Sequence, residues 1–266
     1  MDTLFIIQLV TSFFVGGAFV VLLVTLAERA PKRIAGVILM FPSTIVLGFF
    51  FLAWVLSPEA VAHAAPVAIL STAANFIFFL GYPYAANFFA QKTKNKIFQI
   101  LLSVVVTFLS WSIVVSIIAR HKPTNLPLVL FIFVLVVIIA HFVLRKSKGD
   151  KAVAISYTTL ERLGRAAFAG LVITTAVFLG KTLGPFWGSI FSAFPASVSS
   201  ALILIHWYYG PTSLLPTIER LPIGALVIPA FALSAMFFFP VVGFIVGTFL
   251  SLIISFFVSL VLSRVR

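Results

Sequence analysis

Residues 35–54 read AGVILMFPSTIVLGFFFLAW, a run that carries no charge and has a proline near its centre. Crossing about 30 Å of hydrocarbon takes roughly twenty mostly apolar residues, so this stretch predicts a membrane-spanning helix. Residues 188–207 read GSIFSAFPASVSSALILIHW. A shift of 153 residues superposes three pairs without a gap: Phe41 on Phe194, Pro42 on Pro195 and Trp54 on Trp207. This register indicates an internal repeat.

The composition of the 266-residue chain fits the same interpretation. It is 62% apolar and only 9% charged, with a mean hydropathy of +1.23, whereas soluble domains carry about a quarter charged residues. A water-soluble globule, a disordered chain and a nucleic-acid-binding domain are therefore excluded. The net charge of +12 comes from Lys and Arg that lie between apolar runs, as membrane topology requires. With no cysteine, the chain has no disulfide framework and no thiol ligand for a metal.

The apolar runs predict an all-α polytopic membrane protein with about nine transmembrane helices. The predicted spans are Leu4–Ala27, Ile34–Leu56, Ala64–Ala90, Ile97–Ala119, Leu126–Leu144, Leu160–Gly180, Phe186–Tyr208, Leu221–Phe238 and Val241–Leu262. The last two are divided at Phe239-Pro240, because proline cannot continue the helical hydrogen-bond ladder. With the N-terminus outside, fifteen of the eighteen Lys and Arg fall on the cytoplasmic side. The positive-inside rule thus predicts a cell-membrane protein with a cytoplasmic C-terminus.

The repeat and the span count together predict an inverted architecture. Residues 1–122 form a first four-helix repeat, residues 123–156 a linker helix with a basic cytoplasmic loop, and residues 157–266 a second four-helix repeat. Because an odd number of crossings separates equivalent helices, the copies of this 4+1+4 layout point in opposite directions. Inverted repeats are typical of secondary transporters, whose binding site lies near the midplane between the repeats.

The stretch AERAPKRIAGVILMFPSTI, residues 27–45, resembles the second-helix region of the small four-helix GlpM-like bacterial membrane proteins. In those proteins Ala-Gly and then Leu/Phe-Pro-[Ser/Thr] follow a basic loop, and the matching residues here are Ala35, Gly36, Phe41, Pro42 and Ser43. The second copy has Gly188-Ser189 in place of Ala-Gly. The resemblance implies two such units fused through a linker helix, and it implies no substrate. The layout is also similar, in architecture alone, to fused dual-topology fluoride channels.

The two Phe-Pro pairs are the first candidates for a binding site. A helix broken at Pro42 or Pro195 exposes a half-helix N-terminus, whose free N–H groups and dipole favour an anion. Ser43, Thr44 and Ser197 follow directly and add hydroxyl donors. The alternative is that each proline only kinks a transmembrane helix, with Ser or Thr satisfying the freed backbone groups.

Two further candidate substrate-binding residues lie in other spans. Asn75 lies midway along the third span and needs a partner inside the bilayer, either another helix or a polar solute. Arg165 lies just inside the sixth span, where it attracts an anion into a vestibule or extends to the lipid headgroups. No Asp or Glu lies in the middle of a span, which argues against a carboxylate proton relay.

Small residues repeat every fourth position along the ninth span: Gly243, Gly247, Ser251, Ser255 and Ser259. This spacing predicts a face for close helix packing, within the chain or against a partner, and a polar conduction track is the alternative. The oligomeric state is not determined by the sequence.

Taken together, the patterns favour a transporter of a small solute, with an anion preferred, whose site lies between the repeats. The alternatives are a small-ion channel of similar architecture and a non-transporting assembly or accessory protein. An enzyme is not expected, because no His/Asp/Glu cluster, phosphate loop or nucleophile–base pair is visible. The expected partners are the bilayer and a small solute or ion, without cofactor, metal or nucleic acid.

Overall fold

The computed structural model describes residues 2–29, 41–145, 157–219 and 221–264, and these are helical almost throughout. The helices are α1 (Thr3–Arg29), α2 (Ser43–Val55), α3 (Pro58–Lys92), α4 (Lys96–His121), α5 (Leu126–Arg145), α6 (Thr159–Leu183), α7 (Pro185–Ser192), α8 (Ala196–Tyr209), α9 (Leu214–Ile218), α10 (Leu221–Gly224) and α11 (Val227–Leu262). The first part of the predicted second span, with Ala35 and Gly36, and the basic loop at 146–156 lie outside the described residues.

Six helical stretches are long and apolar enough to cross a membrane: α1, α3, α4, α5, α6 and Leu221–Leu262. The bent pair α7 and α8, whose axes differ by 42°, makes a seventh if it is one span. The chain is therefore a multi-pass α-helical membrane protein. The count is lower than the nine expected, partly because α2 is only the described part of the predicted second span.

The stretch Leu221–Leu262 turns at Gly243, three residues later than the break predicted at Phe239-Pro240. Pro240 lies inside the helix, whereas Gly243 has φ 74° and ψ 170°, a conformation open almost only to glycine. An uninterrupted helix would separate residues 239 and 247 by about 12 Å. A Cβ on Gly247 would instead lie 3.3 Å from the backbone nitrogen of Phe239. The segment after Gly243 therefore packs back against the segment before it.

Helices α1 and α6 cross at two glycines. A Cβ on Gly17 would lie 2.9 Å from the carbonyl oxygen of Ala166, and a Cβ on Gly170 would overlap the carbonyl oxygen of Phe13. From Phe13 to Gly17 the residue number rises along α1, while that of the contacting residue falls from Gly170 to Ala166 along α6. The two helices are therefore antiparallel. Small residues at such a crossing let the backbones touch, as in other membrane helix pairs.

Helix α3 is the most deeply buried of the long helices and packs against α4, α5, α7 and α11. It is also among the least apolar of them, with alanine, serine and asparagine where neighbouring helices approach. Large side chains on the outer helices are exposed instead, such as Phe14 and Phe249. In a bilayer these face lipid, so α3 forms the centre of the protein.

Candidate functional site

Each Phe-Pro pair directly precedes the start of a helix. Pro42 is the N-cap of α2, with φ −81° and ψ 55°, and Pro195 is the N-cap of α8, with φ −84° and ψ 63°. In both, the residue after proline donates its N–H to the carbonyl of the preceding phenylalanine, at 2.8 Å and 2.9 Å. This is an inverse γ-turn centred on proline. The prediction that both prolines open helices is confirmed.

The first turns of α2 and α8 leave backbone amides free. The helical ladders begin at Val46 N–H to Pro42 O, 3.1 Å, and at Ser199 N–H to Pro195 O, 2.9 Å. Within the described chain, four earlier amides form no hydrogen bond, and no side chain caps them: Thr44, Ile45, Ser197 and Val198. Unpaired first-turn amides carry the positive end of the helix dipole.

The two half-helices meet at their N-termini and lead away in opposite directions. Helix α2 runs alongside α7 in the antiparallel sense, with Gly48 against Ser192 and Leu52 against Gly188. Helix α8 continues the direction of α7 after a bend of 42°. Both positive helix ends therefore point to the same place.

That place is a cavity of about 340 Å³. It lies at the depth of Asn75, which is seventeen residues from each end of α3. Six of the seven predicted site residues line it: Pro42, Ser43, Thr44, Asn75, Pro195 and Ser197. The other described lining residues are Phe41, Ile45, Thr72, Phe79, Ser192, Ala193, Phe194, Val198, Thr217, Leu221, Gly224, Ala225 and Ile228. Each described residue of this lining is uncharged.

The partners of Asn75 belong to the protein itself. Trp111 Nε1 donates to Asn75 Oδ1 at 2.9 Å, and Asn75 Nδ2 donates to the carbonyl of Ala193 at 2.7 Å. Indole N–H is only a donor, which fixes the orientation of the amide. The Ala193 carbonyl precedes the break at Pro195, so Asn75 replaces a helical hydrogen bond that the break removes. Asn75 also lines the cavity, and its second N–H has no acceptor among the described residues.

Arg165, the seventh candidate, lies directly behind the cavity. Its side chain is only 7% exposed, so it is held inside the protein rather than extended toward headgroups. Nε donates to Ser200 Oγ and Nη2 to the Ser197 carbonyl, each at 3.2 Å, and the guanidinium lies 4.3 Å from the Tyr157 ring centre. Among the described residues no carboxylate forms a salt bridge with it.

Sequence reasoning missed several residues of the site. Thr72 lies one turn before Asn75 on α3 and lines the cavity, and Ser71 beside it donates to the Ile190 carbonyl at 3.2 Å. A polar cluster inside an apolar span was the available signal. Thr217 and Trp111 gave no such signal, because their roles depend on where short or distant helices pack.

The small-residue face of α11 packs inside the chain. Gly247, Ser251, Ser255 and Ser259 are buried, whereas a Cβ on Gly243 would meet nothing within 4 Å. The expectation that Gly243 belongs to this packing face is wrong, because its positive φ makes it the turn itself.

Comparison with protein-family models, with curated proteins and with solved structures finds no match to this chain. The resemblance of residues 27–45 to the GlpM-like proteins stays a prediction. The function is therefore inferred from the cavity and its electrostatics.

Proposed function

We propose that the protein transports a small anionic solute across the membrane through the cavity between α2 and α8. The observation that carries this proposal is the convergence of two half-helix N-termini, with four unpaired amides, on one cavity. Each N-terminus is equivalent to roughly half an elementary charge, so the pair supplies about one positive charge. Discontinuous helices use their N-termini in this way for anionic substrate groups in known transporter folds.

Arg165 adds to the positive potential. Its guanidinium binds the Ser197 carbonyl in the first turn of α8 and lacks a carboxylate partner within the described chain. A buried cation of this kind is costly unless another charge compensates it. A bound anion provides that compensation, and a cation entering the cavity would be repelled.

Reciprocal contacts support the inverted 4+1+4 architecture. A shift of 153 residues relates Pro42 to Pro195, and it also relates Gly17 to Gly170 and Phe13 to Ala166. The contact of Gly17 with Ala166 thus has its counterpart in the contact of Gly170 with Phe13. A two-fold axis produces such pairs.

On this basis we infer two inverted four-helix repeats, 1–122 and 157–266, joined by the linker 123–156. Six long apolar stretches become seven when Leu221–Leu262 is divided at Gly243. Adding the predicted second span, 34–56, and the bent pair at 186–208 gives nine spans. The distribution of basic residues favours an N-terminus outside and a C-terminus in the cytoplasm. Each repeat would correspond to one GlpM-like unit. No catalytic reaction is part of the proposal.

A small-ion channel is the second candidate. The uncharged lining favours it, because conduction requires that an ion bind weakly enough to leave. Saturable counterflow in liposomes would indicate a transporter, whereas unitary currents in planar bilayers would indicate a channel.

The test is anion flux into proteoliposomes that contain the purified protein. Swelling in the potassium salts of chloride, nitrate, methanesulfonate and benzenesulfonate, with valinomycin present, reports the entry of small and of larger anions. We expect Pro42→Ala and Pro195→Ala each to lower the flux about tenfold, since losing a hydrogen bond to a charged group costs roughly 1.5 kcal/mol. Pro66→Ala, a helix-interior proline of α3 outside the cavity, is the matched control.

Absence of any anion flux from folded protein would contradict the proposal and favour an accessory role. Equal flux in all three proline variants would contradict the role of the helix breaks.

A further inference from the structure

We infer that the occupant of the cavity is an amphiphilic monoanion, with one charged group and an apolar body at least as large as a benzene ring. This inference rests on the proposed function and narrows it to a substrate class. Sulfonates and carboxylates with an aryl or branched alkyl group are members of that class.

The size of the cavity argues against a bare ion. A dry cavity of about 150 Å³ is enough to bind benzene. The cavity of about 340 Å³ is more than twice that volume, whereas a water molecule takes about 30 Å³ of liquid. A halide alone would leave most of the space unfilled.

The polar end of the cavity is built for one anionic group. Ser43 and Thr44 are only 7% and 8% exposed, and their hydroxyls have no hydrogen-bond partner in the described part of the chain. Both residues line the cavity beside the free amides of the α2 first turn. These hydroxyls are open to the cavity and are not used within the described chain, so they can donate to an anion beside the free amides.

The rest of the wall is mostly apolar, and the hydroxyls of Thr72, Ser192 and Thr217 in it already donate to backbone carbonyls. Helix α3 contributes Phe79, α10 contributes Leu221 and α11 contributes Ile228. Phe194 presents a rigid aromatic surface, because the Trp111 ring contacts it edge-on with ring centres 5.0 Å apart. Such a wall binds hydrocarbon in a preformed shape without ordering side chains.

The position of the positive potential limits the occupant to one negatively charged group. Positive potential comes from the two N-termini and from Arg165, all at the proline breaks. A second charged group would lie against Phe79, Leu221 and Ile228, where the hydroxyl of Thr217 already donates to the Ser213 carbonyl. An unpaired buried charge is strongly unfavourable.

Four probes separate charge from size in calorimetric binding to the purified protein. They are benzenesulfonate, the neutral isostere benzenesulfonamide, the small monoanion methanesulfonate and the dianion benzene-1,3-disulfonate. The three sulfonates stay ionised at neutral pH, so they can also be used in the flux assay without crossing the lipid as neutral acids. We expect benzenesulfonate to bind at least about tenfold more tightly than each of the others. Methanesulfonate lacks the apolar carbons, the sulfonamide lacks the charge that strengthens the hydrogen bonds, and the disulfonate buries a second charge.

Two sets of variants test the two ends of the cavity. Ala225→Leu fills the apolar end and should weaken benzenesulfonate at least about tenfold while leaving methanesulfonate almost unchanged. Ile228→Phe repeats this test if Ala225→Leu does not fold. Ser43→Ala and Thr44→Val should weaken both sulfonates alike. Ser110→Ala on the exposed face of α4 is the control.

The outcomes distinguish this inference from the proposed function. Equal affinity for methanesulfonate and benzenesulfonate, with both sensitive to Ser43→Ala, would overturn the amphiphilic class and leave the anion site standing. Tight binding of the disulfonate would overturn the single charge. Equal affinity for benzenesulfonamide, or no binding to folded protein, would overturn the anion site itself.

Discussion

Replacing Gly17 with alanine would place the new Cβ 2.9 Å from the carbonyl oxygen of Ala166, a backbone atom that cannot rotate away. The Cβ of Gly170→Ala would overlap the carbonyl oxygen of Phe13. Because carbon contacts normally lie near 3.5 Å, α1 and α6 would have to separate by roughly half an ångström or more. Overpacking of this kind costs about 1–3 kcal/mol, against a gain of about 1 kcal/mol from replacing a helical glycine.

Gly164→Ala is the matched control, because it lies in the same helix α6 and its Cβ would meet nothing within 4 Å. We expect thermal stability to fall in the order Gly164→Ala, wild type, Gly17→Ala, Gly170→Ala, with about 3 kcal/mol between the extremes. At about 2–4 °C per kcal/mol, the unfolding midpoints of detergent-solubilised protein would differ by roughly 6–12 °C. A Gly17→Ala variant as stable as Gly164→Ala would refute the close crossing of α1 and α6.

Three further predictions concern the site and the topology. Trp111→Phe removes the N–H that donates to Asn75 Oδ1 and should destabilise the protein by about 1–3 kcal/mol. An unchanged midpoint of thermal unfolding would contradict the hydrogen bond between Trp111 and Asn75. Gly243→Ala puts a Cβ on a residue at φ 74° and should cost about 1–3 kcal/mol, and unchanged stability would contradict the turn. The chain has no cysteine, so single cysteines can be introduced and labelled. On intact cells, an impermeant maleimide should react with Glu59→Cys, Lys122→Cys and Thr182→Cys. Lys94→Cys should react only after permeabilisation, and its labelling in intact cells would contradict the orientation.

Features set by local chemistry could be predicted from the sequence. Pro42 and Pro195 lie at helix starts, where proline's missing amide and fixed φ are tolerated. Since Pro66 and Pro240 lie inside helices, it was the repeated Phe-Pro register that distinguished these two. The long apolar runs fix α1, α3, α4, α5 and α6, because only about twenty such residues match the bilayer. The polarity of Asn75 inside an apolar span marked a residue that needs a partner.

Features set by packing could not be predicted. Asn75 binds Trp111 and Ala193, which lie 36 and 118 residues away, so no local pattern indicates the pairing. Arg165 is buried because α8 and the Tyr157 ring cover it, whereas spacing along α6 alone left headgroup contact open. The turn at Gly243 replaces the expected break at Pro240, because proline is tolerated near a helix end while a reversal needs a positive φ.

The position of a bound anion tests the central claim most directly. A structure determined with 4-bromobenzenesulfonate, located by the anomalous signal of its bromine, would show where the probe binds. We predict the sulfonate oxygens about 2.8–3.2 Å from the free amides of Thr44, Ile45, Ser197 and Val198, with the ring against Ile228. A sulfonate found elsewhere, or an empty cavity at concentrations that saturate transport, would contradict an anion site between the two proline-capped helices.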